Sequence, residues 1–123
     1  MMPTATDRRL DLLPGELEIV REILRRHVPE REVWAFGSRV KGKARPYSDL
    51  DITILGDERL PLSTRANLAE DFSESDLPFK VDIGDWAITS ERFRQIIESE
   101  YVALPLDQTV EEGKKLGALG YGV

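Results

Sequence analysis

Asp49 and Asp51 flank a single leucine in the run Ser48-Asp49-Leu50-Asp51-Ile52. From Asp49 to Leu55 the chain alternates with period two, so Asp49, Asp51 and Thr53 share one face of a strand and Leu50, Ile52 and Ile54 the other. Two carboxylates at i, i+2 stand about 7 Å apart at their Cα positions. Their repulsion gives folding no reason to select them, but a hard divalent cation that takes oxygen ligands removes it. An isolated pair of this kind also occurs on half-buried strands that show polar side chains to solvent. Gly37-Ser38 is a second candidate. It follows the short apolar run Val33–Phe36, where the chain turns, and glycine lets an anionic group approach the backbone closely. Alone it is an ordinary turn. The two together, with ten residues between Ser38 and Asp49, are more informative: four fixed positions match by chance in roughly one chain of this length in several hundred. A third carboxylate, Asp82, lies in the alternating run Phe79–Ile83. Asp85 competes with it, but three positions further along a strand it faces the opposite way.

The elements that must hold these groups are legible. Pro14 opens a helix where its missing N–H costs nothing. Glu16 and Glu18 near its start and Arg25, Arg26 and His27 near its end suit the helix dipole. Leu13, Leu17, Val20, Leu24 and Val28 form its apolar stripe, Pro29 stops it, and His27 reads as a helix-end residue without chemistry. Strands at Val33–Phe36, Asp49–Leu55 and Phe79–Ile83 alternate with a helix capped by Ser63, containing Leu68 and Phe72. A last helix begins at Ser90-Glu91, with the stripe Phe93, Ile96, Ile97 and Tyr101. The order helix, strand, loop, strand, helix, strand, helix predicts an α/β (α+β) domain. Its small mixed sheet of about three or four strands has helices packed on one face. Asp49, Asp51 and Asp82 then fall on one open face.

In this setting Gly37-Ser38-Arg39, the basic loop Lys41-Gly42-Lys43-Ala44-Arg45-Pro46, and Ser48-Asp49-Leu50-Asp51-Ile52 resemble the signature of the polymerase-β-like nucleotidyltransferases, most closely the minimal nucleotidyltransferase group. Asp82 in Lys80-Val81-Asp82-Ile83 matches that family's third carboxylate. The resemblance implies a nucleotidyltransferase fold over residues 1–106, and the Gly-rich segment 107–123 reads as a flexible tail. It implies transfer of a nucleoside monophosphate from a triphosphate such as ATP to a hydroxyl, with release of pyrophosphate. Asp49, Asp51 and Asp82 become the catalytic and metal-binding residues for two Mg²⁺ ions, with Asp82 beside the acceptor. Gly37, Ser38, Arg39 and Ser48 become nucleotide-binding, with Arg39 and the basic loop offsetting pyrophosphate charge. Members of the minimal group act as antitoxins beside HEPN-domain ribonuclease toxins, so the resemblance further implies transfer of AMP to a tyrosine of such a toxin. The toxin's own Arg…His-x-Tyr motif is not here: His27 is followed by Val28 and Pro29.

Composition narrows the field. The 123 residues suit one domain, and the absence of cysteine excludes disulfides, thiolate zinc sites and thiol catalysis. One histidine excludes an all-histidine metal site. No apolar run reaches the roughly 18–20 residues of a membrane-spanning helix, and residues 1–13 lack the apolar core of a signal peptide, which predicts a cytoplasmic protein. The net charge is −6, split as +3 over residues 1–48 and −9 over residues 49–123. That acidity argues against general nucleic-acid binding, which needs a broad basic face. Two other readings compete with the antitoxin: a small-molecule nucleotidyltransferase of the aminoglycoside-modifying kind, and a non-catalytic partner that neutralises by contact. The short chain, with no evident acceptor-binding domain, weighs against the former, and the three carboxylates against the latter.

Overall fold

The computed structural model describes residues 10–104. Helix α1 (Pro14–His27) leads into strand β1 (Val33–Phe36), a 3₁₀ turn (Gly37–Val40) and β2 (Leu50–Ile54). Helix α2 (Leu62–Ser73), β3 (Val81–Asp85), a second 3₁₀ turn (Trp86–Ile88), α3 (Glu91–Ser99) and β4 (Val102–Ala103) complete it. The sheet order is β3-β2-β1-β4. β1 is antiparallel to both β2 and β4, while β2 and β3 are parallel and therefore need α2 as their crossover. The sheet is mixed and four-stranded, within the three or four strands expected, and β4 is an element the predicted order did not contain.

Apolar periodicity decides what is buried. Val20, Ile23 and Leu24 of α1 and Leu68 and Phe72 of α2 pack on one sheet face against Val33, Ala35, Leu50, Ile52, Ile54 and Ile83. His27 and Asp71 join the two helices at 2.6 Å, and Arg26 reaches the same carboxylate at 3.0 Å. His27 thus has a structural partner rather than a bare helix end. Trp34 and Phe36 alternate with buried Val33 and Ala35 and so face the other way. There Phe36 meets Phe93 of α3 edge-on at 5.8 Å, and Trp34 stacks on Tyr101 at 3.9 Å. The helical layer on the core face is therefore α1 and α2, and α3 lies against the opposite, carboxylate-bearing face.

Three local expectations shift. The third strand runs over Val81–Asp85 rather than Phe79–Ile83, because pairing requires a partner and β2 begins opposite Val81 at Leu50. Ser63 lies inside the first turn of α2, whose N-cap position is Pro61. In the α3 stripe only Ile97 is fully buried, with Phe93 and Ile96 43% and 53% exposed. Ser90 does cap α3, its hydroxyl accepting from Phe93 N at 3.2 Å. The tail over 107–123 lies outside the described residues.

Candidate active site

The site forms where three strands end together. The antiparallel register sets Phe36 against Asp51, so the turn that follows β1 at Gly37 arrives beside the Asp51 carboxylate. Gly37 has φ +84°, and a Cβ there would run into Asp51 Oδ2. Glycine thus does two things here: it adopts the left-handed turn without strain, and it leaves room for the carboxylate. The parallel register sets Asp51 directly against Asp82 on the neighbouring strand. In-register neighbours share a face and stand about 4.8 Å apart, so Asp51 and Asp82 project side by side. Asp49, just before β2, is exposed, as is Asp82, whereas Asp51 is half-buried.

Burial, then the charges of Asp82 and Asp49, raise the Asp51 pKa above its ordinary value. No described salt bridge relieves that repulsion. Among the described residues no three acidic or histidine side chains close into a ready metal cage. Convergent carboxylates on an open face still suit Mg²⁺, which uses one or two protein carboxylates and completes its shell with substrate phosphates and water. The donor set fits a hard cation held jointly with a phosphate ligand.

Asp85 is excluded from this face. It is buried, and its carboxylate accepts from Leu60 N at 2.8 Å and Ala87 N at 3.3 Å. It fastens the chain before α2 to the turn after β3, and the parity that separates it from Asp82 is visible in β3.

Arg39 requires a correction. Expected to face phosphate, it is only 4% exposed and points into the protein. Its guanidinium donates to the carbonyls of Asp11, Arg45, Pro46 and Ser48, and lies 4.0 Å over the Phe79 ring. The Arg45, Pro46 and Ser48 contacts grip the loop that delivers Ser48 and Asp49, while Asp11 and Phe79 hold the guanidinium from outside it. Ser48 is likewise turned to the loop, its Oγ accepting from Arg45 N at 2.8 Å. Ser38 holds the other side of that loop through its carbonyl, which accepts from Lys41 N and Lys43 N. Lys41, Lys43 and Arg45 are the exposed cations of the segment.

Residues 18–105 match the family described as polymerase beta, nucleotidyltransferase. The chain belongs to the polymerase β nucleotidyltransferase family. A probable protein adenylyltransferase MntA of Haemophilus influenzae is 54% identical over 105 residues, covering 85% of this chain and 92% of that protein. A toxin–antitoxin crystal structure with AMP-PNP superposes with a TM-score of 0.63 at 27% identity, over 78% of this chain and 77% of the other. A tri-AMPylated Shewanella oneidensis HEPN toxin in complex with its MNT antitoxin gives a TM-score of 0.54 at 26% identity, with the same two coverages of 78% and 77%. The minimal nucleotidyltransferase resemblance therefore holds, and this chain is a nucleotidyltransferase.

Sequence reasoning missed the aromatic wall of this face. Phe36 meets Phe93, and Trp34 meets both Trp86 and Tyr101, two groups of ring contacts on the carboxylate side of the sheet. The available signal was parity: if Ala35 faces the core, Trp34 and Phe36 cannot.

Proposed function

We propose that this nucleotidyltransferase moves AMP from ATP, in the presence of Mg²⁺, onto a tyrosine hydroxyl of a HEPN-domain toxin and thereby neutralises it. The observation that carries the reading is the double register at Asp51, which meets the Gly37 turn on one side and Asp82 on the other. A turn that admits phosphate and a pair of carboxylates are thus assembled at one strand end. The 54% identical relative named as a protein adenylyltransferase and the AMPylated toxin bound to a structural neighbour support the acceptor class.

The roles follow from placement. The turn at Gly37-Ser38 receives the β- and γ-phosphates, with exposed Lys41, Lys43 and Arg45 offsetting the charge of departing pyrophosphate. Asp49, Asp51 and Asp82 hold Mg²⁺, which when bound supplies positive charge to the reacting phosphate oxygens. Asp82, the exposed member of the in-register pair, stands nearest an incoming acceptor and takes its proton. Arg39 acts at one remove by keeping the Ser48–Asp49 backbone in place. Exposed Ile88, Phe93 and Ile96 beside the carboxylate face favour a protein acceptor over a small polar one. No described helix is long and apolar enough to cross a membrane, and use of ATP sets the reaction in the cytoplasm under this reading.

The test is the intact mass of the co-expressed toxin after incubation with ATP and Mg²⁺. We expect one or more AMP additions on tyrosine, absent with Asp51→Asn. An unmodified toxin that is nevertheless silenced overturns the reading in favour of neutralisation by binding.

A further inference from the structure

Tyr47 is the segment's odd residue. The residue is 77% exposed, although tyrosine is ordinarily intermediate in burial. The loop beneath it is fixed. The Arg39 guanidinium bonds the carbonyls of Arg45, Pro46 and Ser48, the residues on either side of Tyr47, and the Ser48 backbone and hydroxyl close a turn back onto Arg45. A flexible loop with an exposed ring would be unremarkable. Here the backbone is held from below by a buried cation while the phenol is left outside. The other described tyrosine, Tyr101, is stacked on Trp34.

We propose that Tyr47 is itself an acceptor, adenylylated by the active site of a second copy of this chain. The proposal rests on the tyrosine-directed reading above and extends it to the enzyme's own surface. Tyr47 Oη forms a bond to the α-phosphorus of ATP. The bond from that phosphorus to the bridging oxygen breaks, and pyrophosphate departs with the electron pair. The phenolic proton passes to the Asp82 carboxylate of the copy performing the reaction. The product is a phosphodiester between Tyr47 and AMP.

The geometry assigns the reaction to two molecules rather than one. Tyr47 lines a cleft of about 460 Å³ with Leu13, Glu16, Arg45, Pro46 and Pro78. None of Gly37, Ser38, Asp49, Asp51 or Asp82 lines that cleft. The phenol thus faces a cleft that its own carboxylates do not line. Exposed Lys41, Lys43 and Arg45 precede Tyr47 within six residues and offer the added phosphate cations.

The experiment mixes two purified full-length variants with ATP and Mg²⁺, distinguished by mass. Asp51→Asn keeps Tyr47 but lacks activity; Tyr47→Phe keeps the site but lacks the acceptor. We expect the Asp51→Asn chain to gain one AMP, mapped to Tyr47 by peptide fragmentation, only when the Tyr47→Phe chain is present. The labelling rate should rise in proportion to the Tyr47→Phe concentration. The same Tyr47→Phe preparation is given the HEPN toxin in parallel. If the toxin is modified and the Asp51→Asn chain is not, or is modified elsewhere, the Tyr47 proposal is overturned while the tyrosine-directed reading stands. If neither is modified, both are overturned.

Discussion

Asp51 is half-buried with Asp82 beside it across the sheet and Asp49 two residues before it. Burial and those two charges hold its pKa above the ordinary value of 3.8. A raised folded-state pKa means the folded chain binds the proton more tightly than the unfolded one. Once ionised, Asp51 therefore opposes folding, and stability declines as pH rises through the folded-state value. Asp51→Asn should abolish transfer in the presence of Mg²⁺ yet, in metal-free buffer, leave neutral-pH stability equal or slightly higher and flatten that acidic-range decline. Denaturant unfolding at several acidic pH values measures this. A large stability loss would instead make Asp51 a structural residue. Asp71 has the opposite sign: its hydrogen bond to His27, with the nearby charges of His27 and Arg26, lowers its pKa. Its contribution is present above the unfolded value and is lost as pH falls through the folded one. Arg39→Met should cost about 3 kcal/mol, since it removes charged hydrogen bonds and leaves carbonyls of the loop without their donor. Thermal melts read that loss, and transfer by the remaining folded protein should fall with it.

At the level of elements, β2 does the positioning. It pairs antiparallel with β1 and parallel with β3, and each pairing brings one group to Asp51. Gly37→Ala tests the first pairing. The left-handed φ of +84° and the collision with Asp51 Oδ2 should cost about 1–3 kcal/mol. Transfer should fall further than stability, because relief of the collision displaces the carboxylate. Strand β3 tests the second through two aspartates three residues apart. Asp82→Asn should eliminate transfer without lowering the melting temperature. Asp85→Ala should lower stability by about 1–3 kcal/mol, because the Leu60 and Ala87 amides lose their acceptor. Its folded fraction should keep near-normal transfer. Activity per folded molecule, measured beside thermal melts, separates the pair, and the reverse pattern would reassign the third carboxylate to Asp85.

For the whole molecule, the reading makes the nucleotide and the cation each other's binding partners, since the carboxylates alone do not close a cage. ATP with Mg²⁺ should therefore bind far more tightly than ATP with chelator. At a concentration a hundred times its dissociation constant, Mg²⁺-ATP should stabilise the fold by about 2.7 kcal/mol. Calorimetry with and without Mg²⁺ checks this, and equal affinity in both conditions would remove Asp49 and Asp51 from metal binding. Charge is distributed to match: residues 1–48, with the basic loop, carry +3, and residues 49–123, with all three carboxylates, carry −9.

By itself the sequence determined the element types and their order, because apolar residues at periods of two and about 3.6 have few other solutions. It also determined which aspartates share a face, since strand parity is a local property: Asp49 with Asp51, and Asp82 apart from Asp85. The family was legible in Gly37-Ser38 and Asp49-x-Asp51, where spacing and residue type coincide. Only the tertiary structure decided which strands pair, and with what register. That is how the Gly37 turn, 14 residues before Asp51 in the chain, comes to touch its carboxylate. Register also shifted β3 by two residues to Val81–Asp85, because a strand runs where its partner does. Arg39 is the clearest case. A cation beside a phosphate turn and a cation buried under a loop look alike in sequence. The difference lies in carbonyls contributed by Asp11, Arg45, Pro46 and Ser48, which converge on one guanidinium only once α1, the loop and the sheet have packed.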